Sequence, residues 1–278
     1  MRKGISIWSF AETDLRKCMT LAKDAGFDGI ELALDESGPV SMHSSKEDIL
    51  KVKEMADEIG LELYSLASGL YWQYNYTSSN IENVEKAKEI TKKQLQVASW
   101  LGCDTILVVP GAVEVAFDPG EVVEYDVAYD RALSALCELK AYAEELKVSI
   151  AVENVWNRFL LSPLEMAEFI DKIGSDYVGS YFDVGNVLFS GYPEHWIKIL
   201  GKRIKKVHFK DYRRKAGDLH GFVDLLYGDV NWPAVMKQLE NISYDGWVTA
   251  EMLPPYTYYP ETIIYNTSLS MDKILGRK

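Results

Sequence analysis

The chain has 278 residues, of which 47% are hydrophobic and 26% charged, and its formal net charge is −12. This composition excludes a disordered chain, and an acidic surface of this kind does not favour nucleic-acid binding. No apolar stretch approaches the ~18 residues that a membrane span needs, and the start has no signal-peptide pattern. Three cysteines have no metal or redox spacing (Cys18, Cys103, Cys137). We therefore expect a cytoplasmic protein with no membrane partner and no nucleic-acid partner.

Short β-rich runs recur along the whole chain. Several of them are apolar at nearly every position, which is typical of strands that are covered on both faces. The predicted strands are Gly4–Phe10, Gly29–Leu34, Leu61–Leu66, Thr105–Val109, Val148–Glu153, Tyr177–Asp183, Lys205–Phe209 and Trp247–Glu251.

Amphipathic segments alternate with these runs and predict helices. Gly26, Gly60 and Gly102 follow the first three segments, as glycines that end helices do, and the Ser162-Pro163 pair is typical of a helix start. The predicted helices are Asp14–Ala25, Lys46–Ile59, Ile81–Leu101, Tyr129–Leu146, Leu164–Ile173, Glu194–Leu200, Trp232–Leu239 and Glu261–Leu275.

Eight strand–helix pairs predict an α/β fold with a parallel strand arrangement and right-handed crossovers. The chain is about as long as a (β/α)₈ TIM barrel, which typically needs ~250 residues. The alternative is an open doubly wound sheet, but no G-x-G-x-x-G follows the first strand and no P-loop motif occurs. We therefore predict a (β/α)₈ TIM barrel that forms a single domain over residues 1–278.

Four of the later predicted strands end in side chains that commonly bind metals. Glu153, Asp183, His208 and Glu251 close successive apolar runs. In a barrel of this type the active site lies at these strand ends, so the four side chains are expected to converge. Three carboxylates beside an imidazole need a compensating cation, and this donor set suits Mn²⁺, Mg²⁺, Co²⁺ or Zn²⁺. The alternative for each residue is a polar strand end that binds a loop backbone.

The residues around these four positions resemble a known family. Four motifs carry the resemblance: Val152–Asn154, Asp183–Asn186, His208–Asp211 and Ala250–Glu251. Together they resemble the xylose isomerase-like TIM barrel superfamily, and within it the ketose 3-epimerases and the sugar-phosphate isomerase/epimerase proteins. The resemblance extends over essentially the whole chain.

The resemblance implies an isomerase of carbohydrate metabolism that binds one divalent metal ion. Mn²⁺ is the first choice for this ion, and Mg²⁺, Co²⁺ and Zn²⁺ are the alternatives. The metal ligands would be Glu153, Asp183, His208 and Glu251, with both glutamates also serving as the catalytic acid/base pair. The implied reaction is epimerisation of a ketose at C3 through a metal-stabilised cis-enediolate. A small-molecule sugar would be the substrate, and a homo-oligomer, dimeric or tetrameric, is expected from the same resemblance.

The same comparison places candidate substrate-binding residues. Arg158 lies in an Asn-Arg-Phe segment like that of the epimerases, and Arg214 follows the metal histidine at the family spacing. Two positions depart from the family: Leu160 replaces a substrate-binding glutamate, and Asn186 replaces a histidine. Lys210 and Arg214 are candidates for binding sugar hydroxyls or a phosphate, with the alternative that Asp211 pairs with either of them and only sets the shape of the loop.

Aromatic side chains near the strand ends complete the candidate site. Trp8, Trp72 and Trp156 are candidates for packing on the C–H face of a sugar, with ordinary core packing as the alternative. Glu31 is equally consistent with a substrate hydrogen bond and a structural ion pair. The loop 70–76 contains no arginine or lysine, which favours an unphosphorylated sugar. The roles of His43 and His220 stay open.

Other functions would fit the same fold. The same metal site suits a sugar-phosphate or hydroxypyruvate-type aldose–ketose isomerase, or an inosose-type dehydratase, which is a lyase. An apurinic endonuclease would need more histidines than the four present and a basic face. A non-catalytic sugar sensor would not need the two candidate acid/base glutamates.

Overall fold

The protein is described from a computed structural model that covers residues 1–115 and 120–277. Eight parallel strands close into a barrel, and each strand pairs with its neighbours in chain order. These strands are β1 (Arg2–Ser6), β2 (Gly29–Ala33), β3 (Glu62–Ala67), β4 (Thr105–Val108), β5 (Ser149–Glu153), β6 (Val178–Asp183), β7 (Ile204–Phe209) and β10 (Trp247–Ala250). A two-stranded antiparallel sheet, β8 (Asp211–Tyr212) with β9 (Phe222–Val223), follows β7. The predicted (β/α)₈ barrel is confirmed.

Helices connect the barrel strands. They are α1 (Leu15–Asp24), α2 (Lys46–Ile59), α3 (Ile81–Leu101), α4 (Tyr125–Leu146), α5 (Pro163–Ile173), α6 (Val184–Leu188), α7 (Pro193–Leu200), α8 (Trp232–Asn241) and α9 (Glu261–Ile274). Ser45 and Asp48 form a capping box at the start of α2, and Gly60 ends that helix in the left-handed conformation. None of the helices in the described part of the chain is long and apolar enough to cross a membrane.

Apart from bounds that shift by one or two residues, the structure differs from the predicted elements at four places. β1 ends at Ser6 instead of Phe10, because a 3₁₀ turn over Ile7–Ser9 follows it and the Ser6 hydroxyl accepts a hydrogen bond from the Trp8 amide. Helix α4 begins at Tyr125, four residues before the predicted start. Helix α6 and the β8–β9 sheet were not predicted, because both are too short to show a hydrophobic period.

The bottom of the barrel is closed by an aromatic side chain that needs a glycine opposite it. The Tyr64 ring stacks on Trp247 with 3.8 Å between ring centroids, and its hydroxyl lies 2.8 Å from Thr249 Oγ1. A Cβ atom on Gly4 would lie 2.0 Å from the Tyr64 hydroxyl oxygen. Only glycine at position 4 leaves room for this buried tyrosine.

Gly4→Ala is therefore expected to destabilise the fold. Overpacking of a buried site typically costs about 1–3 kcal/mol, so the urea midpoint of unfolding should fall measurably. Gly69→Ala is the control, because its added Cβ would meet no neighbour closer than a Trp8 ring carbon at 4.0 Å. Equal midpoints for wild type and Gly4→Ala would show that Tyr64 can move aside without cost.

Candidate metal centre and active site

The structure brings the four predicted strand-end residues together. Glu153 and Asp183 are the last residues of β5 and β6, His208 lies near the end of β7, and Glu251 directly follows β10. These four strands are consecutive around the barrel, and Asp183 is in register with His208. One potential ligand atom from each residue lies within 4.8 Å of the ligand atoms of the other three.

Several of these ligand atoms are buried without a hydrogen-bond partner. Among the described residues, Asp183 Oδ2, His208 Nδ1 and Glu251 Oε2 have no hydrogen-bond partner, and the two carboxylate oxygens are compensated by ion pairs with Lys210. His208 Nδ1 lies 3.5 Å from Glu153 Oε1, 3.6 Å from Glu251 Oε2 and 3.8 Å from Asp183 Oδ2. Buried polar atoms are rarely left unpaired in native structures. Three oxygen donors and one nitrogen donor that face a common point therefore fit a divalent cation.

Hydrogen bonds on the far sides of the ligands fix their orientation. Asp183 Oδ1 accepts a hydrogen bond of 2.8 Å from the Asn186 amide at the start of α6, which leaves Oδ2 free. His208 Nε2 lies 2.9 Å from Glu31 Oε1. A carboxylate can only accept there, so His208 Nε2 carries the proton and Nδ1 is left with its lone pair for a metal.

Glu31 itself is fully buried and held from several sides. It accepts hydrogen bonds from the Ser65 hydroxyl at 2.7 Å and from the Tyr181 hydroxyl. The charge and hydrogen bond of His208 outweigh the effect of burial and lower the pKa of Glu31, so the carboxylate stays ionised. Of the two sequence-based alternatives for Glu31, the structure places it in the ion pair, behind the candidate metal ligand.

Burial and the close approach of the four candidate ligands shift their pKa values. Burial raises the pKa of Glu153 to about 7 and also raises the pKa of Asp183. Burial by itself would lower the pKa of His208, but the charge of Glu31 and the nearby carboxylates hold it well above its usual value. The ammonium of Lys210 contacts Glu251 Oε2 and lies 3.2 Å from Asp183 Oδ2. Protons and one lysine thus offset charge that a divalent cation would neutralise.

Glu31→Gln is expected to weaken metal binding without removing a ligand. Loss of the partner behind a metal-bound histidine typically costs 10–100-fold in affinity, so the Mn²⁺ dissociation constant should rise by about this factor. Isothermal titration of chelator-treated protein measures it. Glu62→Gln is the matched control, because Glu62 lies at the start of β3 and pairs with Arg2 outside the site. An unchanged dissociation constant in Glu31→Gln would contradict the positioning role.

A cavity of about 600 Å³ opens at this end of the barrel. Glu153 and Glu251 line it and keep 5% and 4% of their surface exposed, whereas Asp183 and His208 are fully buried behind them. Five of the predicted substrate-binding residues also line the cavity, namely Trp8, Trp72, Trp156, Asn186 and Lys210. The two glutamates are thus the ligands that can reach a bound substrate.

The structure does not bring the two candidate arginines to this cavity. The side chain of Arg158 is 64% exposed, and its Nε lies 2.6 Å from Glu114 Oε2. Arg214 donates a hydrogen bond of 2.8 Å to the Gly191 carbonyl, and its guanidinium stacks on Tyr192. Substrate binding by Arg158 and Arg214 stays a prediction.

One residue that the sequence did not single out joins the parts of the site. The Asn154 side chain donates to the Asp183 carbonyl at 2.8 Å and accepts from the Asp183 amide at 2.9 Å. The Asn186 side chain donates to the Asn154 carbonyl, and the Asn186 carbonyl accepts from the Trp156 ring nitrogen. The signal in the sequence that could have identified Asn154 is its position directly after Glu153. Asn154 therefore locks β5, β6 and Trp156 into one arrangement.

Asp211 shapes a loop, as the sequence analysis allows, but it does so through hydrogen bonds and not through an ion pair with Lys210. It accepts hydrogen bonds from the backbone amides of Leu226 and Val230 and from the Trp232 ring nitrogen. These bonds brace the long loop after β8, and burial raises the pKa of Asp211. Lys210 pairs with Asp183 and Glu251, so the expected alternative of an Asp211 pair is not what the structure shows.

The family assignment follows from the sequence match. Residues 19–267 match the family model described as Xylose isomerase-like TIM barrel. The chain belongs to this family. The "Putative L-ribulose-5-phosphate 3-epimerase SgbU" of Escherichia coli (strain K12) is 26% identical over 250 residues, which cover 84% of this chain and 82% of that protein. An "Inosose dehydratase" of Bacillus cereus (strain AH820) is 22% identical, with 87% of this chain and 83% of that protein covered.

Solved structures of other proteins share the fold. A D-psicose 3-epimerase from Clostridium cellulolyticum H10, solved with D-tagatose, superposes with a TM-score of 0.82 at 17% identity, and 99% of each chain is covered. The IOLI protein, solved with a zinc atom, has a TM-score of 0.81 at 17% identity, with 99% of this chain and 98% of that chain covered. At these identities the likeness establishes the barrel, and the relatives' names identify them as epimerases and dehydratases.

Proposed function

We propose that the protein is a divalent-metal-dependent isomerase that epimerises a ketose at C3. The observation that carries the proposal is the difference in exposure among the four candidate ligands. All four candidate ligands converge, but only Glu153 and Glu251 reach the cavity. A site that only held a metal would not need to expose two of its carboxylates to the substrate space.

The positions of the two glutamates support proton transfer on opposite faces of a substrate. β6 and β7 lie between β5, which carries Glu153, and β10, which precedes Glu251. The glutamates therefore approach the cavity from different parts of the barrel rim. One carboxylate removes the proton from the carbon beside the ketone, and the other returns a proton to the opposite face, which inverts that carbon.

Other residues of the site would bind the metal ion and orient the sugar. Glu153, Asp183, His208 and Glu251 would hold one ion, Mn²⁺ before Mg²⁺, Co²⁺ or Zn²⁺. An ion bound there would supply Lewis-acid stabilisation of the negative charge that develops on the substrate oxygens. Glu31 keeps His208 in the required tautomer. Trp8, Trp72 and Trp156 exclude water and offer ring faces to the C–H groups of a sugar.

A dehydratase is the second candidate, and one observation favours it. Lys210 places an ammonium group on the cavity wall beside Glu251, and its pKa is raised by the charges of Asp183 and Glu251 against the effect of burial. An ammonium at this point can donate a hydrogen bond to a departing hydroxyl and stabilise the charge on it. The glutamate that has taken the proton from carbon returns it to that hydroxyl, which leaves as water. The same proton abstraction followed by loss of that hydroxyl would make the enzyme a lyase, as the inosose dehydratase relative is named.

Proton exchange in D₂O separates these reactions. Metal-loaded protein is incubated with D-psicose, D-tagatose, D-fructose and their phosphates, and with an inosose, and products are followed by NMR. Deuterium at C3 with the epimeric ketose supports the proposal. Deuterium at C1 with an aldose would instead establish an aldose–ketose isomerase, and a dehydrated inosose would establish the lyase.

A further inference from the structure

The cavity is larger than a monosaccharide requires. A ketohexose has twelve non-hydrogen atoms, and even at ~30 Å³ per atom, the share of a water molecule in the liquid, it fills only ~360 Å³. The cavity of about 600 Å³ exceeds this volume by roughly 240 Å³. A free ketose would leave a large part of the space to water.

The additional space is bordered by apolar side chains. Leu219, Phe222 and Val223 come from the segment after β8, and Leu253, Pro254 and Pro255 come from the segment after β10. Leu219 is 38% exposed and Leu253 is 46% exposed, so both present uncovered apolar surface. Such side chains offer no hydrogen bonds to sugar hydroxyls, and covering them with an apolar group would be favourable.

The charges around the cavity do not suit a phosphate group in this space. Asp224 lines the same region, and its carboxylate accepts a hydrogen bond from Tyr256. Among the described residues no arginine lines the cavity, and its lysine, Lys210, is already paired with Asp183 and Glu251. A phosphate clamp usually includes arginines, and the single-turn 3₁₀ helix Leu219–Gly221 in this region has the Asp218 carboxylate at its start, which accepts from the His220 amide and would repel a phosphate.

We propose that the preferred substrate is a keto-sugar that carries an uncharged apolar substituent, such as an aryl or alkyl group. The sugar lies against Glu153 and Glu251, and the substituent packs between Leu219–Val223 and Leu253–Pro255. This inference rests on the proposed function for the sugar part only. The apolar part of the site is a separate feature and can be tested by binding alone.

The first test compares three forms of one sugar. The free ketose that exchanges fastest in the D₂O panel is compared with its benzyl ether and its phosphate ester at the terminal carbon. We expect KM to fall roughly 10- to 100-fold for the benzyl ether, the range that corresponds to burial of one aromatic group. We expect no such gain for the phosphate ester. A benzyl ether that is used no better than the free ketose would overturn the inference.

The second test does not depend on turnover. Phenyl β-D-glucopyranoside and methyl β-D-glucopyranoside are titrated while tryptophan fluorescence is recorded, because Trp8, Trp72 and Trp156 line the cavity. We expect the phenyl glycoside to bind roughly 10-fold or more tightly. Equal affinities would overturn the inference even if ketose epimerisation is observed. Tighter phenyl binding without exchange in any ketose, substituted or free, would uphold the apolar part of the site and refute the proposed function.

A matched pair of variants locates the apolar contact. Leu219→Ser should remove most of the preference for the phenyl or benzyl group. Leu226→Ser is the control, because Leu226 is 49% exposed in the same loop but borders a different depression, together with Asn266 and Ser270. An equal loss of the preference in both variants, or in neither, would contradict the assigned contact.

Discussion

Glu153→Gln and Glu251→Gln are each expected to lower epimerisation by roughly 10²–10⁴-fold, the usual contribution of a positioned acid or base. Glutamine keeps an oxygen for a metal and nearly the same shape, but it cannot accept a proton from carbon. Each variant is assayed for conversion of the best ketose in the metal-loaded state. Glu114→Gln is the control, because Glu114 pairs with Arg158 away from the cavity and its variant should retain turnover.

The two variants should also leave a characteristic isotope pattern. With one glutamate removed, the other can still abstract the proton from the epimer that faces it and return deuterium to the same face. Each variant should therefore exchange one epimer without inverting it, and the two variants should act on opposite epimers. Inversion at a normal rate in either variant would contradict the two-base arrangement.

Asp183→Asn is expected to give the largest loss of metal affinity. It replaces an anionic ligand by a neutral amide, so the loss should exceed the 10–100-fold that is typical of residues behind a ligand. The asparagine oxygen can still accept the Asn186 amide that now binds Asp183 Oδ1, so the start of α6 should survive. Metal content after dialysis against Mn²⁺ and titration calorimetry measure the change.

Thermal unfolding separates this effect from a loss of fold. Without metal, Asp183→Asn should melt at or above the wild-type temperature, because the substitution removes a buried charge from a repulsive cluster. Added Mn²⁺ should raise the wild-type melting temperature but hardly change that of the variant. Equal stabilisation of both proteins by Mn²⁺ would place the ion elsewhere.

The strand ends were predictable from the sequence for a clear physical reason. In a parallel barrel, strands that follow one another in the chain are also neighbours in space, so four successive strand ends must meet. Apolar runs that stop at Glu153, Asp183 and His208 therefore located the centre without any contact information. Glycines at helix ends located α2 and α3 to the residue.

Contacts across the barrel were harder to predict from the sequence. The pair formed by Glu31 and His208 joins residues 177 positions apart, and nothing in either strand indicates which distant partner it meets. The β8–β9 sheet, which carries part of the apolar wall, consists of two-residue strands without a period. Arg158 matched a family motif, but its backbone φ of 55° and its pair with Glu114 direct it away from the cavity.

Metal-dependent deuterium exchange tests whether proton transfer at C3 requires a bound divalent ion. Chelator-stripped protein is titrated with Mn²⁺ in D₂O in the presence of the best ketose, and deuterium at C3 is followed by NMR. We expect no exchange in the stripped protein, and we expect the rate of deuterium exchange at C3 to rise until one ion is bound per chain. Full exchange in protein shown to be metal-free, or exchange that survives Asp183→Asn unchanged, would contradict it.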